Sequence, residues 1–413
     1  MKKPKSLKLS AFVAAVLIGA VGANSALAAD ISAIVDKAQV ELATDKVSEK
    51  TMNELQAAVQ TDPTNSRGHL TLGLILDQLG LTDPAAEQFA LAVKYGANDQ
   101  QALVNLCKTE IKAGRIQPAI ALLNEGLKKF PNNAEMLYLV GDYLFHSKSV
   151  GDARMVLERA YRTDPNIFGL PTAYANALIE TNPMRAVQLA TKDLEKRPDF
   201  DRGRYVRGFA YRALGRQLDA AKDLQIVFDK QPMLPNVSGA LANCYYWLGE
   251  YEKALKPAVF LSAATAFEDD KSGSLPLLVK VMRKVPRAKL PELMTKIDAE
   301  LIYKQLARPE LYYVLGKAYD QLDMPNAAMR SYQRTVNLNP QLARAYYRMA
   351  VDQEIYLRDY DAALENYQHA YNLRPWDEEV TVSYMRLQDR LHNRNADIAW
   401  KWKDWLNKVF NVN

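Results

Sequence analysis

Apolar residues recur along most of the chain at the three- and four-residue spacing of amphipathic α-helices. One such stretch contains Leu72, Ile75 and Leu76. The next begins with Ala85 and Phe89. Short breaks separate the stretches, and glycine or proline marks many of them. The pattern predicts an all-α protein built from pairs of short helices.

Two columns of small residues repeat with a period of about 34 residues. The first column is Gly73, Cys107, Gly141, Ala175, Gly208, Ala242, Gly316 and Ala350. The second is Ala85, Ala119, Ala153, Ala186, Ala220, Ala254, Ala328 and Ala363. These three residue types fill less than a fifth of the chain, so chance does not explain the columns. We expect paired helices to approach closely where both are small, so leucine at Gly141 or Ala153 should cost about 1 to 3 kcal/mol.

Proline and glycine mark the ends of the predicted helices. Prolines recur where each second helix should end, at Pro63, Pro131, Pro165, Pro198, Pro232, Pro340 and Pro375, with Ala97 in the remaining slot. Glycines lie between paired helices, where a left-handed C-cap is needed, at Gly80, Gly114, Gly215 and Gly249. Pro84, Pro118 and Pro325 fall in the first turn of second helices, which tolerates proline.

One unit carries nearly the whole pattern of a known repeat. Its residues are Tyr312, Leu315, Gly316, Tyr319, Ala328, Tyr332 and Pro340. They resemble the tetratricopeptide-repeat family, and the resemblance extends from Pro63 to Pro375 with one gap. It implies a right-handed α-solenoid, a superhelix of helix-turn-helix repeats. The leader over residues 1–28, described below, leads us to expect an exported bacterial member of the family.

Departures from the period predict the domain organisation. We expect a degenerate helical unit over 30–62, tandem repeats over 63–266, and a degenerate repeat with an inserted loop over 267–308. Two repeats follow over 309–375, and capping helices over 376–413 include the aromatic residues Trp400, Trp402, Trp405 and Phe410. Atypical ends are expected because a regular unit would expose its stacking face.

Residues 1–28 have the form of a signal peptide. Lysines precede an apolar run from Ala11 to Ala23, and Ala26-Leu27-Ala28 fits the cleavage rule. The alternative, a membrane anchor, is disfavoured because the run is shorter than a membrane span. We therefore expect a periplasmic or secreted protein without an integral membrane segment.

Charge and cysteine content narrow the function further. Removing the leader lowers the net charge from +5 to +1, which disfavours nucleic acid as a partner. Cys107 and Cys244 lie four units apart, so we expect free thiols, with Cys107 buried. The alternatives are an intermolecular bridge or a redox pair.

No segment of the sequence shows catalytic chemistry. The four histidines have no metal-ligand spacing, and phosphate-binding glycine motifs and serine-nucleophile motifs are absent. Helical repeats account for every long stretch of the chain. We therefore expect a non-catalytic protein without catalytic, cofactor-binding or metal-binding residues.

The candidate binding surface follows from the resemblance, which places the first helix of each pair on a concave face. The predicted partner-binding groove comprises Tyr138, Phe145, Arg202, Tyr205, Phe209, Arg212, Tyr246, Trp247, Tyr313, Arg344 and Tyr347. Aromatic residues and arginine dominate interface energies, although these side chains could instead pack between repeats. A basic run from Lys196 to Arg216 suggests an acidic segment or glycan as ligand, or else a solvated charged face.

The sequence therefore leaves two functional hypotheses. The first is a scaffold or adaptor of the bacterial cell envelope that binds a segment of another protein or peptide in the groove. The second is a subunit of an envelope machine for exopolysaccharide secretion, or for pilus or outer-membrane assembly. A carboxylate clamp for chaperone tails is not supported, because tyrosine stands where that clamp has lysine.

Overall fold

The computed structural model describes residues 28–44, 46–96, 99–265 and 274–393, and all regular structure within them is helical. Contacts divide the chain into two compact units, Met1–Ala177 and Leu178–Asn413. Three predicted features lie outside the described residues: the leader up to Leu27, the loop Glu268–Gly273, and the aromatic segment from Trp400 to Phe410.

Within its described residues, the first unit holds four helical pairs and one further helix. They are α1 (Ala28–Ala43), α2 (Glu49–Thr61), α3 (Ser66–Gln78), α4 (Thr82–Tyr95), α5 (Gln100–Lys112), α6 (Ile116–Lys129), α7 (Ala134–His146), α8 (Val150–Thr163) and α9 (Leu170–Leu178), whose last residue already belongs to the second unit.

The second unit continues the pattern. Its helices are α10 (Pro183–Lys196), α11 (Asp201–Ala213), α12 (Gln217–Lys230), α13 (Pro235–Trp247), α14 (Tyr251–Thr265), α15 (Ser274–Met282), α16 (Leu290–Tyr303), α17 (Pro309–Asp320), α18 (Pro325–Leu338), α19 (Ala343–Asp352) and α20 (Tyr360–Leu373). A π-helical turn, Gln353–Leu357, follows α19, and residues 378–393 form α21.

The helices pair as the sequence predicts. Helices α3 and α4, α7 and α8, α11 and α12, α13 and α14, and α17 and α18 make the most extensive contacts in the described chain. The prediction of an all-α fold of paired helices is confirmed. The right-handed course of the superhelix stays a prediction.

All sixteen residues of the two small columns are buried. The structure corrects the physical reason for the first column. A Cβ atom at Gly73 would lie 2.7 Å from the Phe89 ring, and one at Gly208 would lie 2.8 Å from Leu224. The small residue of the first helix therefore makes room for a large side chain of the second helix. That large side chain lies four positions after the small residue of the second helix, as Phe89 follows Ala85. The two small residues themselves are not the pair in closest contact.

The proline column is confirmed wherever the structure describes it. Each of the seven prolines lies two residues beyond the last residue of a second helix, as Pro131 follows α6 and Pro232 follows α12. Ala97, the exception in the column, lies outside the described residues. Proline ends these helices because it cannot donate the backbone hydrogen bond that would continue them.

The glycines between paired helices have the predicted left-handed conformation. Gly80, Gly114, Gly215 and Gly249 have φ angles between +73° and +80°. Lys148, Asp323 and Arg358 hold the same place, two residues before the second helix, and are also left-handed. The turn geometry is therefore the same even where the sequence lacks glycine.

The π-helical turn explains an irregularity in the repeat. Small residues of paired helices are usually twelve positions apart, but Ala350 and Ala363 are separated by one residue more. The π-helical turn Gln353–Leu357 absorbs this extra residue, because it takes more residues per turn than an α-helix.

The irregular unit contains α15 and α16. Helix α15 is only nine residues long and packs chiefly against α14 and α17. It therefore lies between α14, the second helix of the preceding pair, and α17, the first helix of the next pair, although the sequence there carries no small columns.

Candidate functional site

Three predicted residues form a continuous strip along α11. The rings of Tyr205 and Phe209 have centroids 4.6 Å apart, and the Arg212 guanidinium lies 5.2 Å from the Phe209 centroid. Residues spaced by three or four share one face of a helix, which is why the three side chains meet. Tyr205 and Phe209 are half-buried and Arg212 is exposed, so the strip presents both ring surface and positive charge to solvent.

A second aromatic group lies at the end of α13. Trp247 is 69% exposed, and its ring stands edge-on to that of Tyr246 at 6.2 Å. The Lys280 ammonium, from α15, lies 4.2 Å from the Tyr246 centroid and 5.5 Å from that of Trp247. Such contacts are attractive because the faces of aromatic rings are electron-rich. Helix α15 therefore adds a cation to the predicted aromatic pair.

A cavity of about 400 Å³ opens between α13, α15 and the end of α17. Its lining residues are Tyr246, Pro276, Val279, Lys280, Arg283, Lys284 and Gln321. Arg283 donates a hydrogen bond to the Gln321 carbonyl at 3.2 Å. We call these residues, together with Trp247, the α13–α15 pocket.

Sequence reasoning missed the cations of the α13–α15 pocket. Lys280, Arg283 and Lys284 belong to the irregular unit, where the missing small columns removed the register that marks groove positions elsewhere. A usable signal was present, since three cations fall within five residues at the end of a predicted helix.

The basic run from Lys196 to Arg216 is occupied in part by internal ion pairs. Arg207 binds the buried carboxylate of Asp223 through two hydrogen bonds of 2.7 and 2.9 Å, and Arg204 lies 3.5 Å from the same carboxylate. The hydrogen bonds to Asp223 raise the pKa of Arg207 further. Arg216 pairs with Asp219 at 2.7 Å. The run is therefore a poorer anion site than the sequence suggests.

The remaining predicted groove residues of the second unit differ in how exposed their side chains are. Tyr313 is only 5% exposed and packs its ring 5.8 Å from that of Tyr332, so its role is packing. Tyr347 is half-buried and donates a hydrogen bond to Glu379 at 2.9 Å. Arg202 is half-buried, and Arg344 is exposed.

The first unit contributes two predicted residues. Tyr138 and Phe145 are both half-buried on α7 and pack against the core around Leu157. The Phe145 ring meets His146 edge-on at 5.8 Å.

An acidic pair joins α17 and α19, with Asp352 buried and Asp320 half-buried, and sequence reasoning did not predict it. Tyr332 donates a hydrogen bond to Asp320, and Asp320 is hydrogen-bonded to Asp352. Burial and the neighbouring Asp320 carboxyl raise the pKa of Asp352 to about 8. Arg348 is the nearby cation that opposes this rise. Asp352 is therefore largely protonated at neutral pH and can donate to Asp320.

Both thiols are buried, as predicted for Cys107. Burial raises the pKa of Cys107 to about 12 and that of Cys244 to about 11. Thiols with such pKa values are poor nucleophiles at neutral pH, because the thiolate is the reactive form.

The described residues contain neither a metal-ligand cluster nor a helix that could span a membrane. No three His, Cys, Asp or Glu side chains among them come together as metal ligands would. None of their helices combines the length and apolar character that crossing a membrane requires.

Comparison with known proteins finds a repeat family in two segments of the chain. Two segments match family models described as tetratricopeptide repeat, residues 106–166 and residues 309–342. The first segment runs from within α5 through α8, and the second contains α17 and α18. No curated protein matches the chain.

Several solved structures are similar at low identity. A tetratricopeptide repeat protein from Parabacteroides merdae is 14% identical, covering 70% of this chain and 98% of its own, with a TM-score of 0.37. YrrB, described as a TPR protein with an unusual peptide-binding site, is 16% identical over 43% of this chain and 92% of its own, with a TM-score of 0.33. MamA AMB-1 is 23% identical over 40% of this chain and 96% of its own, with a TM-score of 0.34. Likenesses at this level indicate no specific function.

Proposed function

We propose that this chain, two segments of which match tetratricopeptide-repeat models, is a non-catalytic scaffold or adaptor of the bacterial cell envelope, since such repeats mediate protein and peptide binding. It binds a segment of a partner protein on the first-helix face of the unit Leu178–Asn413. The envelope location rests on the predicted signal peptide over residues 1–28, which would deliver the mature chain to the periplasm or the exterior.

The observation that carries this proposal is the exposed aromatic surface of α11 and α13. Trp247 is the most exposed of the predicted groove aromatics, and Tyr205 and Phe209 present a second ring surface on the neighbouring first helix. Exposed tryptophan and tyrosine beside cations are typical of the residues that anchor a protein interface. A packing role alone does not require Trp247 to be exposed.

Photo-crosslinking in cells tests the proposal. A photoreactive phenylalanine derivative replaces Trp247 in one variant and Tyr205 in another, and mass spectrometry identifies what is captured. The matched control places the same group at Leu218, which is exposed on the second helix α12. We expect a partner protein to be captured from the first-helix positions and not from Leu218.

The result also separates the two functional hypotheses. Soluble partners captured from periplasmic extract support the adaptor. A membrane complex would instead identify the chain as a subunit of an envelope export or assembly machine. Equal capture from Trp247, Tyr205 and Leu218 would contradict a binding role for this face.

A further inference from the structure

The cations of the α13–α15 pocket have no acidic partner within the described chain. None of the ion pairs that the structure describes includes Lys280, Arg283 or Lys284, and all three are exposed. Neighbouring cations behave differently: Lys289 pairs with Glu252 at 2.7 Å, and Lys256 pairs with Glu300 at the same distance. Among the described residues, the positive charge of these three side chains is therefore not neutralised by an ion pair.

The pocket is held in shape by contacts at both ends. Arg283 and Arg287 donate hydrogen bonds to the carbonyls of Gln321 and Leu322, which join the end of α15 to the end of α17. Lys280 is held over the Tyr246 ring. Because these side chains are already positioned, an anion that binds there orders fewer groups on binding.

Apolar surface borders the same pocket. Trp247 is largely exposed at its edge, and Pro276 and Val279 line its wall. A volume of about 400 Å³ is within the range of ligand pockets and accommodates a few side chains. A ligand that combines carboxylates with an adjacent aromatic or aliphatic group satisfies both parts of the surface.

We propose that the α13–α15 pocket is the specificity site for an acidic segment of the partner protein, with carboxylates bound by Lys280, Arg283 and Lys284 and an adjacent apolar side chain on Trp247. This inference rests on the proposed function and names the chemistry of its partner. Lys280 lies on α15, and Arg283 and Lys284 follow its last residue, so all three cations come from the irregular unit. They are a reason for the chain to keep a unit that departs from the repeat.

Direct binding to defined peptides tests the site in the full-length protein. The probe is a fluorescein-labelled peptide in which glutamate and phenylalanine alternate, and its counterpart carries glutamine in place of glutamate. We expect the acidic peptide to bind at least about tenfold more tightly than the amide peptide, and its binding to weaken between about 50 and 300 mM salt because charges at an exposed site are screened.

Matched variants locate the binding. Lys280→Gln with Lys284→Gln keeps most of each aliphatic stem and removes two charges, and Lys128→Gln with Lys129→Gln removes two charges from exposed positions on α6. We expect the first pair to weaken binding of the acidic peptide at least about tenfold and the second to leave it unchanged. Equal effects of the two pairs, or equal binding of both peptides, would overturn the proposal.

Binding of an acidic polysaccharide tests the other source of carboxylates. Polygalacturonate that binds at this pocket more tightly than the acidic peptide would overturn a protein partner for the site. The crosslinking experiment separates this inference from the proposed function. If the photoreactive group at position 247 captures a partner equally well with and without Lys280 and Lys284, the scaffold function is supported and the acidic specificity is contradicted. If the photoreactive group at position 247 captures no more than the one at position 218, the scaffold function is contradicted, whatever the result of the peptide-binding measurements.

Discussion

Lys148 takes a backbone conformation that glycine takes in four equivalent turns. Its φ angle is 65°, against 80° at Gly114 in the preceding turn. For a residue with a side chain this conformation costs about 1 to 2 kcal/mol, and glycine avoids most of that cost.

We therefore expect Lys148→Gly to raise the free energy of unfolding by about 1 kcal/mol, with part of the gain offset by the greater freedom of glycine in the unfolded chain. Urea unfolding followed by circular dichroism measures the change. The reciprocal variant, Gly114→Ala, should lower the free energy of unfolding by a similar amount. A destabilising Lys148→Gly would show that the lysine side chain makes a contribution larger than the backbone strain.

The acidic pair Asp320 and Asp352 predicts a pH dependence of stability. The pKa of Asp352 is about 8 in the folded protein and near 3.8 when unfolded, so its stabilising contribution is complete below about pH 4. As the pH rises towards 8 the unfolded chain loses this proton first, and the free energy of unfolding falls. Asp352→Asn keeps the shape of the protonated acid without ionising. We therefore expect it to reduce the decrease in the free energy of unfolding between pH 5 and 8 by about 2 to 4 kcal/mol.

Urea unfolding at several pH values measures this slope. Asp361→Asn, at an exposed position on α20, is the matched control and should retain the slope of the wild type. If Asp352→Asn also retains that slope, Asp352 is ionised in the folded protein at neutral pH, contrary to its environment.

At the level of helices, the repeats require glycine at some positions and only tolerate it at others. A Cβ atom at Gly316 would collide with the Tyr332 ring, whereas one at Gly239, inside α13, would meet its nearest neighbour, Leu261, at an ordinary 3.5 Å. The two glycines therefore predict opposite responses to the same substitution.

We expect Gly316→Ala to lower the free energy of unfolding by about 1 to 3 kcal/mol, because the Tyr332 ring is fully buried and cannot move freely aside. Gly239→Ala should raise it by up to about 1 kcal/mol, because alanine is the better helix former. Thermal unfolding of both variants measures the difference. Loss of stability in both would mean that the packing at Gly316 is not the cause.

The repeats were predictable from the sequence because each depends on local chemistry. Small columns, turn glycines and terminal prolines mark positions that favour certain residues, as at Gly316, Gly80 and Pro131. The acidic pair was not predictable, because Asp320 and Asp352 come together only when α17 and α19 pack. The role of Lys280 was not predictable for a similar reason, since its position beside Tyr246 depends on how the irregular helix α15 packs.

At the scale of the whole molecule, the candidate binding surface includes fewer residues than the sequence predicted. The sequence alone favoured Tyr205 and Tyr313 as equivalent groove residues. The structure separates them, because Tyr205 remains half-exposed while Tyr313 is buried against Tyr332. Truncation of each tyrosine should therefore have a different consequence.

We expect Tyr205→Ala combined with Trp247→Ala to retain the wild-type helix content and melting temperature within a few degrees, and to reduce partner capture at least about tenfold, because both rings are at the surface. Tyr313→Ala should instead lower the free energy of unfolding by about 3 to 5 kcal/mol, as loss of a buried aromatic ring does. Circular dichroism separates the two effects, and capture by tagged protein in cell extracts measures the first. If Tyr205→Ala with Trp247→Ala unfolds the protein, these rings belong to the core. If that pair folds and still captures its partner fully, the binding face lies elsewhere on the repeats.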